Sequence, residues 1–216
     1  MSEAVLVGFP IVHVVLASAS PARLGVLRAA GLDPIVEIAD VDEERLLAAI
    51  PHASPAEKVT HLAGAKATTA ARRIAGTHPE AVIIGCDSML LVAGELVGKP
   101  GGADQARARW RAMAGKTGEL LTGHAVLRTA DGEIDRVAEG HATTTVHFGE
   151  PTDEELEAYL ATGEPLAVAG AFTLDGRGGW FVDGIDGDPS NVIGISLPLT
   201  RRLLAAVGLP VTRLWT

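Results

Sequence analysis

The chain has 216 residues, of which 47% are hydrophobic, and a formal net charge of −9. This size suits a single domain or one domain with two lobes around a cleft, and the apolar content excludes a disordered chain. The negative charge argues against an extended nucleic-acid surface but not against a small phosphate-bearing ligand, for which only the local charge of a cleft matters.

An apolar run, MSEAVLVGFPIVHVVLA, opens the chain. No basic segment precedes it and Pro10 and His13 interrupt it, so we expect neither a signal peptide nor a membrane span. Its continuous β-branched part, Ile11–Ala17, predicts a strand covered on both faces. Together with a single cysteine, which excludes an internal disulfide framework, these features predict a cytoplasmic protein.

The loop after this strand, Ser18-Ala19-Ser20-Pro21, predicts a helix capped by Ser20 and ended by Gly31. A strand that leads into a helix N-terminus gathers free N–H groups and the positive end of the helix dipole, which favours an anion. Ser18 adds a donor, and Arg23 adds a planar fork that matches phosphate oxygens. An ordinary helix cap with a solvated arginine is the alternative.

A short strand at Ile35–Ala39 is followed by acidic residues, among them Asp42 and Glu43. Their oxygens are of the kind that magnesium or manganese binds, although a solvated helix start is the more frequent meaning of such a pair. Ser54-Pro55-Ala56-Glu57 is a capping box, which predicts a helix to about Ala75.

Lys66 lies on the apolar face of that helix. The stripe consists of Val59, Leu62, Ala63, Ala70 and Ile74. A lysine at this position either extends along the apolar surface to reach water or binds an anion in a cleft.

Asp87 follows the predicted buried strand Ala81–Cys86, which Met89–Val92 can continue. A carboxylate just past a strand end is costly to bury without a partner, and ligands of α/β sheets bind outside the carboxyl ends of strands. Asp87 is therefore a candidate metal ligand or proton acceptor, with a turn cap as the alternative. Cys86 is interpreted as a core thiol.

Lys99 lies in a glycine-rich turn, Gly98-Lys99-Pro100-Gly101-Gly102. With Arg23 and Lys66 it makes three cations, and together with the acidic residues this set suits a polyphosphate. The chain has no Gly-x-Ser-x-Gly motif, no P-loop and no zinc-type histidine spacing, which argues against acyl transfer, P-loop chemistry and zinc.

The rest of the chain predicts further helices and strands. They are a helix at Asp104–Ala114, strands at Leu120–Thr129 and Glu133–Phe148 joined by a type I′ turn at Asp131-Gly132, a helix from the capping box at Thr152 to near Gly163, an irregular glycine-rich segment at Val168–Asp188, a helix at Ser196–Val207 and an edge strand at Val211–Trp215.

Several motifs in one order resemble the Maf family over nearly the whole chain. They are Leu16-Ala17-Ser18-Ala19-Ser20-Pro21-Ala22-Arg23, Asp42-Glu43, Ala65-Lys66-Ala67, Gly85-Cys86-Asp87-Ser88, Gly98-Lys99-Pro100, Gly163-Glu164-Pro165, Ala169-Gly170-Ala171-Phe172 and the run from Asp186 to Ile195. The shared order and spacing make this resemblance specific. It implies one α/β domain over residues 1–216, with a mixed sheet, an inosine-triphosphatase-like fold and a groove between two lobes.

The resemblance also implies an activity. It is that of a nucleoside triphosphate pyrophosphatase, which cuts its substrate between the α- and β-phosphates, uses a divalent cation (Mg²⁺ or Mn²⁺) and forms a homodimer. On the family's pattern Asp87 is the proton acceptor, and Glu43, with Asp87, lies near the metal. The substrate-binding positions are Ser18, Arg23, Lys66, Ser88, Lys99 and Asp175.

Three positions depart from the family's pattern. Ala22 replaces a frequent first arginine, Ser88 replaces a frequent threonine, and Asp175 replaces a glutamine or glutamate linked to base choice. The preferred base therefore stays open. Two other functions also stay open: a nucleotide-binding regulator of cell division with little turnover, and a hydrolase that releases orthophosphate.

Overall fold

The structure, a computed structural model, describes residues 12–216, so Ile11 and the predicted absence of a signal peptide lie outside the described residues. The strands and α-helices in chain order are β1 His13–Leu16, α1 Pro21–Ala29, β2 Ile35–Val36, α2 Glu43–Ala48, α3 Pro55–Ile74, β3 Ala81–Val92, β4 Glu95–Val97, α4 Ala103–Met113, β5 Thr117–Ala130, β6 Glu133–Phe148, α5 Asp153–Ala161, β7 Val182–Asp186, α6 Pro189–Ile193 and α7 Leu197–Ala206. Short 3-10 segments lie at Glu164–Ala167, Ala169–Ala171, Arg177–Phe181 and Val211–Arg213.

The strands of the described residues form one mixed sheet in the order β2-β1-β3-β5-β6-β7, with β4 paired to β3. β2 and β3 run parallel to β1, whereas the other pairs are antiparallel. At the β5–β6 turn both Asp131 and Gly132 have positive φ, 52° and 82°, as a type I′ turn requires. The mixed sheet with helices confirms the predicted α/β fold class.

The core lies on both faces of the long strands. α3 covers one face along its whole length, whereas α7 packs on the other face at one end of the strands. At the other end, an aromatic cluster joins the sheet to α4 and α5, with Trp110 at its centre against Phe148, Tyr159 and Phe181. This division of the core fits the predicted two lobes.

The predicted continuation of the strand at Met89–Val92 is confirmed, but the placement of Asp87 past a strand end is wrong. β3 runs through Asp87 to Val92, because β5 pairs with it from Ala81 to Leu91 without a break. It is the neighbouring strand that stops: β1 ends at Leu16, opposite Ile84. The candidate residues therefore lie beside a continuous strand, next to a gap in its pairing.

Two other predictions differ from the structure. The segment Val168–Asp188 contains 3-10 turns and the strand β7, which pairs with the end of β6. Val211–Arg213 forms a 3-10 turn, and the edge strand predicted there is wrong. In both cases long-range packing overrides a short local pattern. The predicted strand at Ile35–Ala39 is limited to Ile35–Val36.

Candidate active site

A gap in the sheet defines the candidate site. The last bond of the parallel pair joins Ala17 N–H to the carbonyl of Ile84, and β4 pairs with β3 only from Leu90 onward. Between these points the β1 side of β3 has no strand partner among the described residues. The carbonyl of Cys86 points to this side, as that of Ile84 does, since alternate residues of a strand share a direction.

Arg23 of α1 fills part of this gap. Its Nη1 donates to the carbonyl of Cys86 at 2.8 Å and to Ser18 Oγ at 3.1 Å, and its Nη2 donates to Ser88 Oγ at 3.0 Å. Nε donates to the carbonyl of Gly194 at 2.8 Å. These four bonds use four of the five N–H groups of a guanidinium. The Arg23 guanidinium, which the sequence predicts to bind phosphate oxygens, is therefore mostly hydrogen-bonded within the protein. One N–H of Nη2 remains for a ligand.

A buried chain of hydroxyls continues from Ser88. Ser88 Oγ lies 2.9 Å from Thr122 Oγ1, which donates to the carbonyl of Asn191 at 3.3 Å. Because Thr122 gives its proton to Asn191, Ser88 donates to Thr122 and accepts from Arg23. Asn191 is itself fully buried and donates to the carbonyl of Leu120 at 3.2 Å. This chain fixes the orientation of the Arg23 guanidinium.

Lys66 lies on the opposite face of the sheet, between two carboxylates. Its Nζ is 2.5 Å from Asp87 Oδ1 and 2.7 Å from Glu43 Oε1. The lysine side chain is only 13% exposed, whereas that of Glu43 is 48% exposed. Lys66 therefore reaches a charged cluster at the edge of the core and does not extend freely into water. Asp42 caps α2, which holds Glu43 at its first position.

Asp87 is the most buried carboxylate of this cluster, with 6% of the residue exposed. Burial raises the pKa of Asp87, and the nearby charges of Lys66 and Arg23 oppose that rise. Its Oδ2 is buried without a hydrogen-bond partner among the described residues. A carboxylate with a raised pKa and an unpaired oxygen is a suitable proton acceptor or ligand for a hard cation.

Two glycines allow α3 to approach the sheet at this point. A Cβ at Gly85 would collide with the carbonyl of Ala63, and a Cβ at Gly123, which pairs with Asp87, would collide with the backbone of Val59. Both collisions are with α3 backbone, which cannot turn away. The absence of these side chains therefore brings Lys66 close to Asp87.

Lys99 and Asp175 lie outside this cluster. Both side chains are exposed, and neither forms a hydrogen bond or ion pair within residues 12–216. The turn that carries Lys99 is held by the carbonyl of Gly98, which accepts from Gly170 N–H at 3.1 Å. The loop that carries Asp175 is held by Glu164, which accepts from Thr173 Oγ1 at 2.6 Å. Their roles stay predictions.

The sequence interpretation missed Thr122, His124 and, as a separate contributor, Asn191. The first two alternate on β5 and face the same side as Ser88, because the pairing places Thr122 opposite Ser88. Their only local signal is polarity in an otherwise apolar strand. Apart from the bond between His124 and Thr122 themselves, their partners are 34 to 72 residues away in the chain, so no spacing motif marks them.

No group of three or more His, Cys, Asp and Glu side chains is arranged to hold a metal ion within residues 12–216. Within the same residues, none of the helices combines the length and hydrophobicity needed to cross a bilayer.

The chain is similar to one protein family over most of its length. A family model described as Maf-like protein matches residues 13–207. Proteins named nucleoside triphosphate pyrophosphatase match it from Saccharopolyspora erythraea (58% identical, covering 93% of this chain and 96% of the relative), Rhodococcus jostii (61%, covering 93% and 95%) and Mycolicibacterium gilvum (54%, covering 94% and 98%).

Proposed function

The chain belongs to the Maf family, and on this premise we propose that it is a nucleoside triphosphate pyrophosphatase. The proposed reaction is hydrolysis of the bond between the α- and β-phosphates, which converts a nucleoside triphosphate and water into a nucleoside monophosphate, pyrophosphate and a proton. The relatives' shared name supports this activity, since the matches extend over nearly the full length of both chains.

The observation that carries the proposal is the cluster around Asp87. An acid with an unpaired buried oxygen lies beside Lys66, and Arg23 contacts the residues on either side of Asp87. Phosphoryl transfer depends mainly on positioning and on neutralising negative charge. One proton acceptor between two fixed cations is suited to that requirement.

Asp87 Oδ2 is proposed to accept a proton from the attacking water. The raised pKa of Asp87, which burial causes, makes this carboxylate a better base than an exposed aspartate. The water oxygen forms a bond to the α-phosphorus while the bond to the bridging oxygen breaks, and pyrophosphate leaves with that oxygen. Asp87 later returns the proton to solvent.

The cations are proposed to compensate the charge of the triphosphate. Arg23 can donate a hydrogen bond from its remaining Nη2–H. Lys66 has one N–H beyond those directed at Glu43 and Asp87. Lys99, on its exposed turn, would approach the leaving pyrophosphate from the solvent side. Ser18 adds a hydroxyl next to Arg23.

A divalent cation fits the residues at this site. Asp87 has an unpaired oxygen and Glu43 is partly exposed. Magnesium or manganese is commonly held by one or two carboxylates together with oxygens of the substrate. We therefore propose Glu43 and Asp87 as the residues that would hold Mg²⁺ or Mn²⁺, with binding of the ion by Asp87 Oδ2 as the alternative to its role as the base. Such an ion, when bound, supplies charge neutralisation at the phosphate oxygens.

The test is pyrophosphate release from a panel of nucleoside triphosphates with magnesium or manganese. We expect Asp87→Asn to lower the rate by about 10²–10⁴. Asp135→Asn, the same change at a half-exposed position of β6, is the matched control and should leave the rate unchanged. Nucleotide binding without metal-dependent release by the folded wild type would favour a regulator, and orthophosphate as the product would favour another hydrolase.

A homodimer and a cytoplasmic location complete the proposal. The dimer rests on the family resemblance, and sedimentation of the pure protein tests it. The location is supported by the single cysteine, Cys86, which is a buried free thiol and needs no oxidising compartment. Fractionation of cells that produce the protein tests it.

A further inference from the structure

His124 of β5 is fully buried and accepts a backbone hydrogen bond from a distant segment. Its Nε2 lies 2.8 Å from Ser196 N, and its Nδ1 lies 3.0 Å from the carbonyl of Thr122. Because Ser196 N–H is a donor, Nε2 carries no proton, and Nδ1–H donates to Thr122. Both ring nitrogens are thus used, and the imidazole is fixed as one neutral tautomer.

The segment that His124 holds also holds Arg23. Ser196 is two residues after Gly194, whose carbonyl accepts from Arg23 Nε at 2.8 Å. Gly194 has φ +125°, and a Cβ there would lie 3.2 Å from Arg23 Nε, so the backbone itself packs against the guanidinium side chain. The position of residues 194–196 therefore determines where the Arg23 acceptor lies.

The other anchors of this segment lie on α6. Gly194 and Ile195 donate their N–H groups to the carbonyl of Ser190, and Ser190 Oγ accepts from Leu197 N–H at 3.0 Å. These bonds join residues close in sequence. Asn191 bonds α6 to β5, and His124 supplies the side-chain bond from the sheet to residues 194–196 themselves.

We propose that His124 is a positioning residue that acts through the Gly194 carbonyl to hold Arg23 in the geometry that the reaction needs. The expected change in kcat/KM rests on the proposed function, whereas the expected change in the bond between Arg23 and Gly194 does not. Loss of the bond between His124 and Ser196 should also disturb the bond between Arg23 and Gly194, whereas loss of an ordinary buried hydrogen bond should not.

The first experiment compares His124→Leu with His124→Gln. Leucine leaves Ser196 N–H without an acceptor, whereas the amide oxygen of glutamine restores one. We expect His124→Leu to lower kcat/KM for pyrophosphate release about tenfold, the usual effect of one hydrogen bond to a charged group, and His124→Gln to recover most of the loss. In an Arg23→Met background, His124→Leu should cause no further loss, because the two changes act on one element.

Thr129→Val is the matched control. Thr129 is buried on the same strand and accepts from Ala81 N–H at 3.0 Å, far along the sheet from Arg23. It should lower the melting temperature as a buried hydrogen-bond loss does but leave kcat/KM unchanged. If His124→Leu behaves like Thr129→Val, or if its effect adds in full to that of Arg23→Met, the positioning role is overturned.

The second experiment needs no turnover and separates this inference from the proposed function. The Nε–H resonance of Arg23, in protein labelled with ¹⁵N-arginine, reports its bond to Gly194. We expect slow solvent exchange in the wild type and in His124→Gln, and faster exchange in His124→Leu. Unchanged exchange in His124→Leu overturns the inference. Changed exchange in a protein that releases no pyrophosphate would instead contradict the proposed function alone.

Discussion

Asp87 and Ser88 are neighbours in sequence, yet their side chains face opposite sides of the sheet and bind different cations. Asp87 pairs with Lys66 from α3, and Ser88 accepts a hydrogen bond from Arg23 of α1. Both contacts occur beside the gap that β1 leaves along β3. A single continuous strand thus places one acid between two cations from helices on its two faces.

The first prediction concerns the close approach of α3. Gly85→Ala should lower the free energy of unfolding by about 1–3 kcal/mol and reduce pyrophosphate release, because the methyl group pushes α3 and Lys66 away from Asp87. Gly25→Ala, in α1 with open space around it, should stabilise the protein by about 0.5–1 kcal/mol. Urea unfolding and the pyrophosphate assay measure both effects. Equal stability of the two variants would contradict the prediction.

The second prediction concerns the pKa of Asp87. Burial raises this pKa and the charge of Lys66 opposes the rise, so Lys66→Met should raise it further. Since the base must be ionised, the acid side of the kcat/KM profile should move to higher pH. Lys58→Met, on the same helix but with no ion pair to a described residue, is the control. An acid limb at the same pH in both variants would exclude Asp87 as the titrating base.

The third prediction concerns stability and pH. Burial lowers the pKa of His124 from 6.5 to about 4, with Arg23 and His141 acting in the same direction and Asp188 and the Thr122 carbonyl opposing them. Between these values the unfolded chain binds a proton that the folded chain does not. His124 should therefore remove about 1.4 kcal/mol of stability per pH unit as the pH falls from about 6 to about 4.5.

His124→Gln lacks this titration and tests the third prediction. Its free energy of unfolding, from urea titrations across the same pH range, should fall less steeply than that of the wild type. At pH 7 and above, where His124 is neutral in both states, the pH dependence of the two proteins should coincide. Parallel curves throughout would show that His124 titrates alike in both states.

The fourth prediction concerns base choice. Asp175 is exposed on a loop that Glu164 holds through Thr173 Oγ1 and Gly178 N–H. Asp175→Gln should change the ranking of nucleotides by kcat/KM, because a carboxylate only accepts hydrogen bonds whereas an amide also donates them. The rate with the best substrate should stay within about tenfold of the wild type. Asp183→Asn, at an exposed acid on β7, serves as the control. An unchanged ranking in Asp175→Gln would show that Asp175 takes no part in base choice.

Local patterns predicted several elements correctly. The capping boxes at Ser54 and Thr152, the turn at Asp131-Gly132 and the apolar stripe around Lys66 all depend on residues within a few positions of one another. The family could also be identified from motif order alone. The caps and the turn are determined by the local sequence because their hydrogen bonds close within one helical turn or one tight turn.

The tertiary structure decided how the candidate residues are used. The sequence indicates that Arg23 is a cation near a helix start, but its bonds reach Cys86 and Gly194, 63 and 171 residues away. It places Lys66 on a buried stripe, but only the approach of α3 over Gly85 and Gly123 brings its ammonium between Glu43 and Asp87. Such contacts depend on strand order and on helix-to-sheet distance. Both are set by packing over the whole chain, which no local spacing encodes.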